Sequence, residues 1–112
     1  MKITKIADRP RRQINISEWN ETAKAYLKPM TAMERLTYND LINTYFNEKK
    51  KDIERTEAIF QAAMICLVDE DGKPLLEADQ MEDLKKACFD PINRMITMNY
   101  DSNLADETLT KN

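Results

Sequence analysis

Seven consecutive apolar residues, Ala62-Ala63-Met64-Ile65-Cys66-Leu67-Val68, run directly into Asp69-Glu70-Asp71-Gly72-Lys73-Pro74, which holds the only glycine of the chain. That junction constrains the fold more than any other feature. A membrane span needs roughly 20 apolar residues, so a run this short belongs in a protein core. Upstream, Ile53, Phe60, Met64 and Leu67 recur at helical spacing, and Ile59, Ala63 and Cys66 widen the stripe. The spacing predicts a helix over about 52–68. Its C-terminal half is apolar nearly all round, so it is expected to be the most buried element. Gly72 alone has free access to positive φ, so a tight turn belongs at Asp71-Gly72. Leu75 and Leu76 are expected to fold back onto the helix.

Around this centre the remaining pattern is mixed. Arg12-Gln13-Ile14-Asn15-Ile16-Ser17 alternates polar and apolar with β-branched residues, the period of a half-buried strand. A turn at Glu18 to Glu21 leads to Thr22-Ala23-Lys24-Ala25-Tyr26-Leu27-Lys28, which is expected to pair back. The result is a hairpin over about 12–28, with Trp19 at or under its turn. Pro29 stops the second strand. Thr31-Ala32-Met33-Glu34 then fits a capping box, in which the Thr hydroxyl and the Glu carboxylate each accept from a free backbone N–H. Tyr38, Leu41, Ile42 and Tyr45 share one face of the helix that follows, over about 31–48. A third helix is expected over about 78–89, with Met81, Leu84 and Cys88 on one face. Asp90-Pro91 signals a fourth, over about 91–99, carrying Ile92, Met95 and Ile96. Residues 101–112 read as a flexible polar tail. The fold expected is α+β and predominantly α: a short N-terminal β-hairpin packed on three to four helices, in a single domain over 1–100.

Composition narrows the chemistry. The chain has 112 residues with 42% hydrophobic and 33% charged, and no histidine. The commonest general base and commonest metal ligand are therefore missing. One glycine cannot make either common phosphate-cradling loop, and Cys66 and Cys88 form no zinc set. Both cysteines are expected to be reduced core residues, in a cytosolic setting. Mean hydropathy is −0.67, which suits a soluble protein, and no apolar segment near Lys2 and Lys5 suggests a signal peptide. The formal net charge of −3 argues against a generic nucleic-acid coat. Arg9-Pro10-Arg11-Arg12 and Lys49-Lys50-Lys51 are local basic runs, expected to be solvated loop or helix-end charges. Asp69, Asp71 and Glu77 imitate a calcium loop poorly, since Lys73 stands at a ligand position. No catalytic, cofactor or metal site is expected.

The seven methionines leave two readings open. Methionine fills irregular core gaps, and it also suits adaptable binding surfaces. Met33, beside the helix cap, and Met98, near the end of the last helix, are the ones least needed inside.

The stretch from Ala63 to Leu76, followed by the amphipathic segment from Asp79 to Phe89, resembles small tail assembly chaperones of long-tailed, siphovirus-type bacteriophages and prophages. Upstream, Ala25-Tyr26-Leu27-Lys28-Pro29-Met30-Thr31-Ala32-Met33-Glu34-Arg35 is similar to that family's strand leading into a capped helix, and Met98-Asn99 matches its closing residues. The likeness spans roughly residues 22–100 and lies in the order of these features. Glu77, where a capping Thr or Ser is usual, and Pro91, which starts a fresh helix, depart from it. The resemblance implies a non-catalytic protein of the host bacterial cytoplasm, absent from the mature virion. It would bind the helical tape-measure protein, keep it soluble and help recruit tail-tube subunits, using no cofactor, nucleic acid or membrane, and it could form a homo-oligomer. For the partner-binding surface the candidates are Met33, Leu36, Tyr38, Tyr45, Phe46, Met95 and Met98. Three rivals are another phage structural adaptor of the head–tail connector type, a small nucleic-acid-binding regulator using the basic runs, and an enzyme with a carboxylate-only or tyrosine-based mechanism.

Overall fold

A computed structural model describes the backbone of residues 1–5 and 9–111 and the side chains of residues 1–5 and 9–100. The order of elements is β1 (Arg12–Ile14), β2 (Ala25–Leu27), α1 (Ala32–Phe46), α2 (Asp52–Cys66), β3 (Leu67–Val68), a 3-10 turn (Ala78–Gln80), α3 (Met81–Lys86) and α4 (Asp90–Lys111). The architecture is α+β, mostly α, with one small antiparallel sheet.

The expected hairpin is present: Arg12 pairs with Leu27, Gln13 with Tyr26 and Ile14 with Ala25. Alternation puts Ile14, Ala25 and Leu27 on the buried face. The third strand was not expected. Leu67 and Val68 leave the helix and pair with Leu27 and Tyr26, so α2 stops at Cys66 instead of continuing to residue 68. The change follows from tertiary pairing, because β2 offers a free edge and a β-branched Val68 suits it. The next turn then closes as the glycine requires. Gly72 has φ +81°, its N–H donates to Asp69 O at 3.1 Å, and Asp69 Oδ1 accepts from the N–H groups of Asp71 and Lys73. Leu75 N–H returns to Leu67 O at 3.0 Å, and Leu76 is buried.

The capping box at the start of α1 is complete: Glu34 N–H donates to Thr31 Oγ1 at 3.1 Å, and Thr31 N–H to Glu34 Oε1 at 3.0 Å. α1 and α2 pack along each other through the stripe Tyr38, Leu41, Ile42 and Tyr45 and the buried face of α2. Phe60, Ala62, Ala63 and Cys66 are at most 1% exposed, so the apolar end of α2 is the centre of the core. Burying a side chain such as Phe60 contributes about 1.5–3 kcal/mol. Ile53 departs from the stripe: it is 59% exposed, in the first turn of α2 where α1 has already ended. The third helix is shorter than expected. It divides into the 3-10 turn and α3, and extended backbone at Ala87 ends it. α4 begins at Asp90 and continues past Asn99, where it was expected to close, to Lys111. Asn112, the last residue of the expected tail, lies outside the described residues.

Candidate functional site

An open cleft of about 420 Å³ lies where the C-terminal end of α1 meets α2, α3 and the start of α4. Its floor is Ile59 and Phe60 of α2 with Ile92 of α4, and one wall is Met81, Leu84 and Lys85 of α3. Aromatic residues form the rim. Phe89 stacks on Tyr45 with ring centroids 6.0 Å apart, and Phe46 meets Tyr45 edge-on at 5.0 Å. Phe46 is 58% exposed and Phe89 39%. Large apolar side chains left in water beside an apolar cleft mark a place where another molecule can bury surface.

Local chemistry holds this rim in place. Phe89 O accepts from the N–H groups of Ile92 and Asn93, so the residue is pinned as the start of α4. The preceding carbonyl, Cys88 O, accepts from Trp19 Nε1 at 2.6 Å, which ties the loop to the hairpin turn. On the other side, Arg55 Nε donates to Tyr45 O at 2.7 Å, satisfying a carbonyl at the end of α1, and the guanidinium lies over the Tyr45 ring. Lys85 pairs with Glu82 at 2.9 Å and holds that carboxyl below its usual range.

The seven residues expected to meet a partner do not form one surface. Tyr45 lines the cleft, and Phe46 lies outside its lining, edge-on to Tyr45. Met33 and Leu36 are 73% and 61% exposed, but they lie near the opposite end of α1. Thirteen residues at 1.5 Å each put Met33 about 20 Å from Phe46 along the axis. Met98 is half-buried on α4. Tyr38, 4% exposed, and Met95, with no exposed surface, are core residues and offer nothing to a partner in this conformation. The reason is the face each occupies: Tyr38 belongs to the inward stripe of α1, and Met95 follows Ile92 by one turn on the inward face of α4. Phe89, Met81 and Leu84 line the cleft but are not among the seven candidates. The available signal was an aromatic residue directly before a helix-starting Asp-Pro.

Cys88 also departs from expectation, being exposed in the loop after α3, whereas Cys66 is buried. Burial pushes the Cys66 thiol up to about 12, so it stays neutral at physiological pH and acts as packing. Burial likewise raises Tyr38 to about 12. Two arginines of the basic run beside the sheet bond within the chain. Arg11 Nη1 donates to Asp69 O at 3.3 Å and its guanidinium lies over Tyr26, while Arg12 donates twice to Met98 O. Lys49 and Lys50 sit in the loop after α1, where Asn47 accepts from both backbone N–H groups. Among the described residues, no three Cys, Asp or Glu side chains gather as a metal site, and no helix is long and apolar enough to cross a membrane.

No protein-family model matches the sequence, and no curated protein sequence matches it. Among solved structures, the chain is similar to that described as the structure of bacteriophage HK97 tail assembly chaperone, at 20% identity and a TM-score of 0.46, over 75% of this chain and 76% of that one. A likeness that slight carries no inference about function.

Proposed function

We propose that this chain is a phage or prophage tail assembly chaperone, which shields apolar helical segments of the tape-measure protein and helps bring tail-tube subunits to it. One observation supports the reading most: the stacked pair Tyr45 and Phe89 on an open apolar cleft, with the exposed Phe46 edge-on to Tyr45 beside it. The order of sequence features from residue 22 to residue 100 supports it independently. The cleft is wide enough for one or two anchoring side chains of a helix, with flanking turns resting on the exposed rim. Modest affinity at each site, multiplied along a repetitive partner, suits a contact that must later be released. The acidic exterior would keep such a coated partner in solution.

The test is co-expression with the tape-measure protein of the same genome, with and without Phe46→Glu and Phe89→Glu. The chaperone reading expects the parent chain to raise the soluble fraction of the partner several-fold and the double substitution to abolish the gain. An unchanged soluble fraction with the parent chain rejects the reading. The nucleic-acid alternative is disfavoured by the internal engagement of Arg11 and Arg12, and a gel shift at low salt discriminates between the two.

A further inference from the structure

Two arginines from different elements converge on consecutive carbonyls in the middle of α4. Arg12, on β1, donates through Nη1 and Nη2 to Met98 O, both at 3.3 Å. Arg35, on α1, donates through Nη2 to Asn99 O at 3.1 Å. Carbonyls inside a helix already accept from the N–H four residues on, so they need no such partners. Carbonyls in the last turn of a helix do need them, and cationic side chains there are doubly favourable, because they also meet the negative end of the helix dipole. Ile92, Met95 and Asn99 form the buried face of α4, each at most 4% exposed, while Asn93, Thr97 and Tyr100 share its exposed face. Asn99 is tied in further by its Nδ2 contact to the Cys66 sulfur at 3.8 Å.

We infer that α4 has a built-in second stop at Asn99–Tyr100: Arg12 and Arg35 form a ready-made cap that completes the helix there, so the helix beyond Tyr100 can unwind or be drawn away by another molecule without disturbing the core. A carbonyl oxygen has two lone pairs, so the cap coexists with the longer helix and takes over when it is lost.

Ser102→Pro in the full chain tests it. Residue 102 donates to Met98 O in a continuous helix, and proline removes that donor and clashes with the same carbonyl. The expected result is a loss of helical circular dichroism corresponding to about ten residues, with amides 92–99 still protected from hydrogen exchange and a melting temperature within about 2 °C of the parent. In an Arg12→Ala/Arg35→Ala background, the same proline should lower the melting temperature by several times that amount. If that background does not fold, Arg35→Ala alone serves. Loss of protection over 92–99 in the otherwise native chain overturns the inference. So does a proline penalty that is the same with and without the arginines.

Discussion

Met95 and Met33 are chemically identical and both read from sequence as candidate contact residues, yet the fold assigns them opposite duties. Met95 has no exposed surface and sits among Ile92, Cys66 and Leu27 in the core cluster. Replacing it with alanine removes three heavy atoms. At about 0.8 kcal/mol per buried methylene equivalent, the transfer loss is about 2.4 kcal/mol. A residual void of about 40 Å³ adds about 1 kcal/mol, for a total of about 3–4 kcal/mol. A chain of this length melts with an entropy of about 0.24 kcal/mol/K, so Met95→Ala should lower the melting temperature by about 12–16 °C. Met33 is 73% exposed, and its replacement by alanine should change stability by no more than about 0.5 kcal/mol, or about 2 °C. Thermal unfolding followed at 222 nm measures both. Equal shifts for the two variants, or a shift under about 4 °C for Met95→Ala, would refute the assignment of faces on α1 and α4.

Gly72→Ala should cost about 1–2 kcal/mol, because φ is +81° and the added Cβ would lie 3.0 Å from Arg11 Nη1; urea denaturation reads it, and Gly72→Asn should cost less. Glu18, hydrogen-bonded to Arg94 through Oε1 at 2.6 Å, is held down to about 2. A lowered folded-state pKa stabilises above the unfolded value near 4.3 and is lost as pH falls from about 5 towards 2. Glu18→Gln should therefore flatten the acid limb of the stability profile in that window, and a carboxyl titration by NMR with a midpoint near 4 would contradict it. With a thiol reagent at pH 8, Cys88 should react promptly and Cys66 only through unfolding, on the order of 10³-fold slower or more; two thiols reacting together would contradict the burial of Cys66.

Local signals were legible where a few adjacent residues decide the outcome. The Thr31–Glu34 box and the lone glycine at 72 each produced the structure their chemistry requires, and the alternation over 12–17 produced a strand over Arg12–Ile14 only. What could not be read was decided by distant partners. Leu67 and Val68 continue an unbroken apolar helical run, and only the edge of β2 turns them into a strand. The tertiary role of Arg12 and Arg35 was equally hidden, since neither residue has a local pattern that points to α4. The candidate surface divides in the same way. Tyr38 carried its own warning, sharing a stripe with Leu41, Ile42 and Tyr45, whereas Phe89 meets distant partners: it stacks on Tyr45, and Trp19, 70 residues earlier, donates to the neighbouring carbonyl.

The central claim is that the cleft beside Tyr45 and Phe89 receives an apolar helix from another protein. Cys88 lines that cleft and is exposed, so it can carry a photo-activated cross-linker with little labelling of Cys66. Illumination in the presence of the tape-measure protein should give a covalent adduct through Cys88, lost when Phe46 is replaced by glutamate. Adducts from a probe carried at Asp40→Cys with Cys88 replaced by serine, and none from Cys88 itself, would place the contact elsewhere and contradict the account.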